Sequence, residues 1–344
     1  MLTMKESVFV SSLRSFFRGF FSILGVFFAL ILITVAVGAL VVGQETVTPK
    51  STVYVLPDHN GNSDLLGEKT PVVLQIDING IIGIGSNTTE SVQNQLIESR
   101  KGIFKKDRVK AILLNMNTRG GSVFDSNDIY ALLKDYKERF HVPIYAYVDG
   151  ISASGGVYVS CAADKIFATP VSVIGSVGVI SGPFLNFSKT MEKIGVDALT
   201  LSEGKNKDAL NPLRPWKEDE SVSFKLLNDY FYNMFVDVVA KSRPMLSKEK
   251  LISTYGANVF PAPIAENYGY IDNGNCYYRE ALMELLKAAK IEAASPYQVV
   301  KIKAKKPFIE ELFDSNEIFK GKIKHELNLQ GDIKEDFSYL YMPK

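Results

Sequence analysis

The sequence predicts an α/β fold with parallel strands, preceded by one transmembrane helix. Short apolar runs of strand length alternate along the 344-residue chain with stretches whose apolar residues recur at helical spacing. Several strand runs are apolar over most of their length, as expected for strands covered on both faces. Strands and helices that alternate in this way favour a parallel sheet covered by helices.

An uncharged stretch of 25 residues, at 19–43, lies near the N-terminus. It exceeds the roughly 20 apolar residues that span a bilayer and the roughly 7–15 of a secretory signal peptide, so it predicts a single-pass, uncleaved signal anchor. Lys5, Arg14 and Arg18 precede it, and no basic cluster follows it. The positive-inside rule therefore predicts that residues 1–18 are cytoplasmic. The rest of the chain is predicted to lie outside the cytoplasmic (inner) membrane, in the periplasm if the source is a Gram-negative bacterium.

The remainder of the chain divides into three predicted parts. Residues 44–70 contain prolines and glycines with little periodicity, so they are predicted to be a linker. Residues 71–290 contain the alternating runs and are predicted to form the folded domain. From residue 291 the pattern weakens and lysines cluster, which predicts a charged C-terminal tail over 291–344.

Each element of the domain is predicted from its own pattern. Runs rich in Val, Ile and other apolar residues predict strands at 71–78, 109–117, 142–148, 165–169 and 176–180. Helical spacing of apolar residues predicts helices at 90–101, at 125–140, from about 154, at 217–242 and at 277–290. The helix at 217–242 has a stripe of Phe and Tyr, which indicates core or oligomer contacts more than a ligand site.

Charge and cysteine content exclude several functional classes. The formal net charge is +1, and no basic stripe interleaved with aromatic residues indicates a nucleic-acid partner. The two cysteines form no CxxC motif, and no Cys/His spacing is typical of a metal site, so no metal or cofactor is predicted. Cys161 lies in an apolar helical run and is interpreted as a buried small hydrophobic residue.

The candidate nucleophile is Ser154, which follows the predicted strand at 142–148 and precedes Gly155 and Gly156. A serine at a strand-to-helix turn presents its hydroxyl clear of the backbone, and glycines beside it let another chain approach. This arrangement suits attack on a peptide. The alternative is that Ser154 only caps the helix that follows, as serines at such turns often do.

A serine nucleophile needs a base, and histidine is poorly placed to supply one. His59 lies in the predicted linker, His325 in the predicted tail, and His141 at the far end of the strand that leads to the candidate serine. A lysine can serve instead if it is neutral. Lys205 and Lys207 lie in a polar loop, and the residues alone leave the choice between them open.

Two glycine-rich corners could supply the backbone donors that hold an oxyanion in acyl transfer. Asn117-Thr-Arg-Gly-Gly-Ser122 lies at the carboxyl end of the strand at 109–117, where sites in parallel sheets are found. The second corner contains Gly150, Gly155 and Gly156. Either corner alone is typical of a simple strand-to-helix turn, whereas two on neighbouring strands favour a site.

Four segments, taken in order, resemble the signal peptide peptidase A (SppA) family of membrane-anchored Ser-Lys proteases. They are Asn117-Thr-Arg-Gly-Gly-Ser122, Ala153-Ser-Gly-Gly-Val-Tyr158 with Ala162-Ala-Asp-Lys-Ile-Phe-Ala168, Gly175-Ser-Val-Gly-Val-Ile180, and Gly204-Lys-Asn-Lys-Asp208 with Asn211-Pro-Leu-Arg214. The resemblance covers about residues 70–270 and fits the short form of the family, which has one copy of the core. It implies a crotonase-like (ClpP-like) repeated ββα core with parallel strands.

The resemblance implies roles for four residues of this chain. Ser154 corresponds to the nucleophile and Lys207 to the general base. Gly121 corresponds to the oxyanion donor, through its backbone N–H. Ser176 corresponds to the hydroxyl that positions the lysine amine.

Three further positions bear on the resemblance. Asp164 and Lys165 match the family pattern, and we interpret them as structural. The family usually has a proline directly before the Gly-Gly pair, and this chain has Arg119 there. Because a proline stiffens a turn, its loss is expected to loosen the backbone donors and to affect rate or specificity more than reaction class.

The implied function is that of a membrane-anchored serine endopeptidase. Its implied substrates are remnant signal peptides and other membrane-associated peptides, with small or apolar side chains near the cut, and its implied assembly is a ring-shaped homo-oligomer. One alternative is a catalytically silent assembly protein with the same fold, for which Arg119 is the only hint. The other is an acyl-CoA enzyme that holds an enolate on the paired amides, which an anchored domain outside the cytoplasm disfavours.

Overall fold

The computed structural model describes residues 8–42 and 51–303, which form two compact units treated separately below. The first unit is helix α1 (Val8–Val42). Its segment Ser11–Val35 has a mean hydropathy of 2.3 and is long and apolar enough to cross a membrane. This segment begins earlier than the predicted span at 19–43 and includes Arg14 and Arg18. Most of the predicted tail, with His325, and the start of the predicted linker lie outside the described residues.

The second unit is built on one eight-stranded sheet. Its strands are β1 (Thr52–Leu56), β2 (Val72–Ile82), β3 (Val109–Gly121), β4 (Ile144–Ala153), β5 (Lys165–Ala168), β6 (Val173–Gly175), β7 (Val259–Pro261) and β8 (Gln298–Lys303).

Eight α-helices of the described residues accompany this sheet. They are α2 (Thr89–Glu98), α3 (Val123–Phe140), α4 (Gly155–Ser160), α5 (Ser188–Ile194), α6 (Val222–Ser242), α7 (Lys248–Lys250), α8 (Ala262–Tyr268) and α9 (Tyr278–Ala288). A 3₁₀ turn at Gly102–Phe104 precedes β3, and α7 continues into a π-helical turn at Leu251–Tyr255.

The strands lie in the order β1-β8-β2-β3-β4-β6-β7, and β5 pairs with β4. The central pairs β8–β2, β2–β3 and β3–β4 are parallel, as are the pairs of β4 with β5 and with β6. Antiparallel pairs occur at the two edges, where β1 pairs with β8 and β7 with β6. The predicted α/β class with parallel strands is confirmed. The carboxyl ends of β2, β3 and β4 lie side by side, where ligands bind in open parallel sheets.

The central strands are buried on both faces of the sheet. On one face, Leu74 and Ile112 belong to a core cluster that includes side chains of α2, α3, α4 and α6. On the other face, Val73 and Leu113 pack in a second cluster with Leu282 and other residues of α9. Burial of alternate residues on opposite faces explains why the run at 109–117 is almost continuously apolar.

The start of α3 is fixed directly behind the end of β3. Ser122 caps the helix by accepting a hydrogen bond from the Asp125 N–H at 3.3 Å. The Asp125 carboxylate accepts in turn from the Thr89 N–H at 2.9 Å, at the first turn of α2. This backbone hydrogen bond holds the pKa of Asp125 below its usual value. The glycine-rich end of β3 is therefore held between two helix N-termini.

β1, β7 and β8 occur where the sequence predicts no strand, and β6 lies just before the strand predicted at 176–180. β1 lies in the predicted linker and β8 in the predicted tail, and they pair from Thr52 with Lys303 to Leu56 with Val299. Each run is short and its partner lies at the other end of the domain, so no local pattern marks the pairing.

One predicted strand is absent from the sheet. Residues 176–180 are not paired, because β6 ends at Gly175 and Ser176 has a φ of 59°, which turns the chain out of the ladder. The other predicted strands and helices occur within a few residues of their predicted bounds.

Replacing Leu282 with alanine should lower the free energy of unfolding by about 2–5 kcal/mol, because Leu282 is fully buried between α9 and the sheet. Lys287→Ala on the same helix is the control, since its side chain is 70% exposed in an ion pair with Glu284, and should change stability by less than about 0.5 kcal/mol. Chemical denaturation measures both, and equal effects would show that α9 does not cover the sheet.

Candidate active site

Ser154 lies at the turn from β4 into α4 with an unusual backbone conformation. Its φ of 53° and ψ of −119° are strained for a residue with a side chain. Its N–H donates to the Gly175 carbonyl oxygen at 2.9 Å, which fixes the turn against β6. Its side chain makes no cap hydrogen bond to α4, so the helix-capping interpretation is not supported. The half-buried hydroxyl is therefore presented at the sheet's carboxyl edge, as in a nucleophile elbow.

The strand that ends at Ser154 changes its neighbour part-way along. β4 pairs with β5 from Tyr145 to Val148 and with β6 from Ile151 to Ala153. Between these stretches the sheet register shifts and the backbone of β4 leaves the regular ladder.

Two side chains satisfy the backbone where β4 changes its neighbour. The Asn117 Oδ1 accepts from the Ile151 N–H at 3.2 Å, and the Ser172 Oγ accepts from the Gly150 N–H at 3.2 Å. Ser172 shows no functional pattern in the sequence, and Asn117 stands out only as part of the Asn-Thr-Arg-Gly-Gly motif. The asparagine at the end of an apolar strand is the one signal that pointed to this contact.

The glycines of the two corners are packed against one another. A Cβ on Gly120, where φ is +98°, would lie 2.8 Å from both the Gly155 nitrogen and the Ser154 Cβ. A Cβ on Gly121 would lie 2.7 Å from the Ile82 nitrogen. Because real Cβ atoms do not approach other atoms so closely, the two corners can meet only if residue 120 is glycine, and β3 can lie against Ile82 of β2 only if residue 121 is glycine. The structure thus brings the predicted nucleophile and the Gly-Gly turn together.

A small pocket opens beside the Ser154 side chain. Its lining is mainly apolar and comes from the two glycine corners, α3, α4, α6 and the segment after β6: Gly121, Val123, Ser126, Ser154, Gly155, Tyr158, Gly178, Val179, Phe231 and Phe235. Burial raises the pKa of Tyr158 to about 12, and its hydroxyl donates to Asn127 at 3.1 Å. The tyrosine therefore contributes a neutral wall to this pocket.

Ser176 directly follows the strand that supports the nucleophile. Ala153 and Gly175 are register partners in the β4–β6 pair, so Ser154 and Ser176 leave the two strands side by side. The Ser176 N–H donates to the Asn258 carbonyl oxygen at 2.7 Å, and the residue is half-buried. Its neighbour segment, 177–180, continues past the pocket without a strand partner.

Lys207 is not brought to Ser154 in this structure. It is exposed in the loop between α5 and α6, and within residues 51–303 its ammonium makes no hydrogen bond or ion pair. Lys205 is exposed in the same loop. The next residue, Asp208, forms an ion pair with Arg214 at 2.8 Å. The choice of Lys207 as the base therefore stays a prediction that rests on the resemblance.

The histidines and Cys161 have other surroundings. The ring of His59 is hydrogen-bonded to the Tyr297 hydroxyl at 2.6 Å, and His141 ends α3 in a left-handed conformation. Burial raises the pKa of the Cys161 thiol to about 12, so it stays protonated and unreactive. Asp164 accepts from the Ile144 N–H at 3.0 Å and pairs with Lys137, as its structural interpretation requires.

Comparison with known proteins decides the family. The model of peptidase family S49 matches residues 137–292. A protein of Enterococcus faecium named "Putative signal peptide peptidase SppA" is 32% identical over 239 residues, which are 67% of this chain and 67% of that protein. This chain belongs to peptidase family S49. The predicted SppA resemblance is confirmed.

Two further similarities to known proteins are found. A protein of Synechocystis sp. named "Putative protease slr0021" is 30% identical over 200 residues, covering 58% of the chain and 68% of that protein. A solved structure of a ClpP1 mutant from Listeria monocytogenes aligns with a TM-score of 0.39 and 16% identity, over 60% of the chain and 94% of that chain.

Replacing Gly120 with alanine in this S49 chain should lower peptide hydrolysis by about 100-fold or more. The added Cβ would push the Ser154 turn away from the Gly-Gly corner, and misplaced donors cost that much in acyl transfer. Gly85→Ala is the control: its φ is +61° but nothing lies within 4 Å of the new Cβ, so it should cost only about 1 kcal/mol of stability. Comparable activity in both variants would mean that the corner does not position the serine.

Proposed function

We propose that this chain is a membrane-anchored serine endopeptidase with Ser154 as nucleophile and Lys207 as general base. The observation that supports it best is the conformation of Ser154, whose strained backbone and unbonded hydroxyl face a corner where only glycine fits. Strain of this kind is retained where function requires it. Membership of a peptidase family gives the reaction, which is hydrolysis of a peptide bond.

In the proposed mechanism, the Ser154 Oγ attacks the substrate carbonyl carbon while its proton passes to the neutral amine of Lys207. The Gly121 N–H donates to the oxyanion that develops on the carbonyl oxygen. Ser176 holds the lysine amine towards the nucleophile. Lys207 then gives its proton to the leaving amine, and a water molecule hydrolyses the acyl-enzyme with the lysine again as base.

The substrate is proposed to bind as an extended peptide along the unpaired segment 177–180. This segment has the sequence of a strand but lacks a partner, so its backbone groups are available to pair with a peptide. The apolar pocket between Val123, Tyr158 and Phe235 would take a small or apolar side chain next to the cut. Remnant signal peptides and other membrane-associated peptides have this composition, and the similar Enterococcus protein is named as a signal peptide peptidase.

The base is proposed to reach the nucleophile on assembly. The stretch from 180 to 230 exposes many large apolar side chains, including Leu199 and Leu201, which are 85% and 86% exposed, and α5 has no buried residue. A monomeric domain seldom leaves so much apolar surface in water. We propose that this stretch packs against other copies in a ring-shaped homo-oligomer, and that this packing brings Lys207 to a serine.

The anchor and location complete the proposal. α1 has the length and composition to cross a bilayer. The basic residues at its N-terminal end favour a cytoplasmic N-terminus, which would place the peptidase domain on the outer side of the cytoplasmic membrane.

Hydrolysis of a fluorogenic peptide with a small or apolar residue before the cut tests the dyad. Ser154→Ala and Lys207→Ala should each lose about 1000-fold or more of kcat/KM, because nucleophile and base act as one unit. Lys205→Ala is the matched control in the same loop and should stay near the original rate. Activity should rise with pH as the base loses its proton.

The other outcomes of that experiment are equally informative. An inactive Lys205→Ala with an active Lys207→Ala would show that Lys205 is the general base. The proposed protease function would still stand. A folded, assembled protein that cleaves no such peptide and is not labelled at Ser154 by a serine-reactive probe would instead be the silent assembly protein.

Leu201→Glu should dissociate the oligomer and lower peptidase activity together, because a carboxylate cannot be buried in an apolar contact without a large cost. Light scattering after gel filtration measures the mass. Leu65→Glu, at a side chain 78% exposed in a different loop, should leave both mass and activity unchanged. An intact, active oligomer carrying Leu201→Glu would show that this stretch is not a subunit contact.

A further inference from the structure

We infer that Arg214 is a positioning residue for the proposed base, Lys207, and that it acts by neutralising Asp208. The inference rests on the proposed Ser-Lys mechanism and extends it to the loop that holds the lysine. Neither residue touches the proposed nucleophile, so the effect would be transmitted through the loop conformation and its charge.

The Arg214 guanidinium is bonded on several sides. Its Nε donates to the Asp208 Oδ2 at 2.8 Å and its Nη2 to the Asp208 carbonyl oxygen at 2.9 Å. Its Nη1 lies 2.6 Å from the Glu220 Oε1 and donates to the Pro215 carbonyl oxygen at 2.9 Å. Planar, bidentate contacts of this kind fix an acid and its backbone together, which a lysine cannot do.

These contacts of Arg214 with Asp208 and Glu220, called the clamp below, hold the loop that carries Lys207. The loop contains no helix or strand. The Lys207 N–H donates to the Gly204 carbonyl oxygen at 3.2 Å, and the Leu210 N–H donates to the Glu220 Oε2 at 3.0 Å. Gly204, Asn206 and Leu210 all have positive φ values, 95°, 60° and 58°. Two non-glycine residues with positive φ in five positions are held only by surrounding contacts, and the contacts here run through Arg214 and Glu220.

Glu220 anchors the clamp from the start of the next helix. The residue is 2% exposed, and burial opposes its ionisation, but the hydrogen bonds from Arg214 and from the Leu210 and Lys217 backbone outweigh burial and lower its pKa. A buried carboxylate that forms an ion pair with the guanidinium and accepts from the Leu210 N–H joins the base-bearing loop to the residues before α6. Arg214 and Glu220 thus fix the loop that carries Lys207.

The charge of the clamp bears on the chemistry. A lysine takes up a proton only when it is neutral, and a carboxylate nearby stabilises its ammonium form instead. The hydrogen bond from Arg214 holds the pKa of Asp208 below its usual value, so this carboxyl is ionised at neutral pH. Besides Lys207, the charged residues of the stretch 203–220 are Lys205, Arg214 and Lys217 and the acids Glu203, Asp208, Glu218, Asp219 and Glu220. Removing Arg214 would leave Asp208, the residue next to the base, without its paired cation.

The test is the pH dependence of kcat/KM for the full-length protein with the fluorogenic peptide. Arg214→Gln should move the pH of half-maximal activity upwards by about half a unit to one unit, which is a 3- to 10-fold loss on the rising part of the curve. The double variant Arg214→Gln with Asp208→Asn should return this pH to within a few tenths of the original. Asp208→Asn alone should move it slightly downwards.

A merely structural role predicts a different result. Arg214→Gln would then lower activity at every pH by the same factor, and adding Asp208→Asn would not restore it; either finding overturns the inference. Arg139→Gln, which breaks an exposed pair with Asp135, is the control for loss of one arginine and should not move the profile. If Arg214→Gln fails to assemble, as judged by light scattering, the downward shift in Asp208→Asn alone decides, and no shift rejects the inference.

The same measurements separate this inference from the proposed function. If Lys207→Ala is inactive but the pH of half-maximal activity does not shift in the Arg214 variants, the role of Arg214 is rejected and the Ser154–Lys207 dyad stands. An active Lys207→Ala rejects the dyad, and the clamp with it.

Discussion

The change of neighbour along β4 is the constraint on which the site depends. One edge of a strand cannot pair with two others unless the backbone leaves the ladder between them, and here it does so at Gly150 and Ile151. Asn117 and Ser172 accept the two amide N–H groups that the ladder would otherwise have satisfied. Because the second half of β4 is redirected onto β6, the strand delivers Ser154 to the edge where the Gly-Gly corner of β3 ends. The strained serine, the glycine contact and the pocket all follow from that redirection.

The central strands and the longer helices of the domain could be predicted because they depend on local patterns. Continuous apolar runs gave the central strands, and helical spacing gave α3, α6 and α9. The β1–β8 pair could not be predicted, since it joins two short runs from opposite ends of the domain. The strand expected at 176–180 failed because the backbone turn at Ser176 overrides a favourable β propensity.

Some residues of the site could be predicted from the sequence alone, and others could not. Ser154 could be singled out from its strand-to-helix setting and its glycines, before any resemblance was considered. The choice between Lys205 and Lys207 could not be made from chemistry, because it depends on which side chain becomes desolvated, and sequence does not report burial. The resemblance favours Lys207. Because both lysines are exposed, a further element of structure is required to desolvate the one that acts as base. The proposed assembly would supply it and would keep a free subunit from cleaving its neighbours in the membrane.

The pairing of β1 with β8 has a practical meaning for the proposed membrane-anchored form of the chain. β8 would be an open edge of a parallel sheet, with a row of unpaired N–H and C=O groups that invites strand addition by any other chain. The first strand after the anchor covers that edge, and β1 itself is only five residues long. A form cut from the membrane before Thr52 keeps its cover and stays soluble, whereas one cut nearer to β2 would expose a template for aggregation. If the chain is anchored as proposed, the presence of β1 in a released form would thus determine whether the domain stays soluble or aggregates.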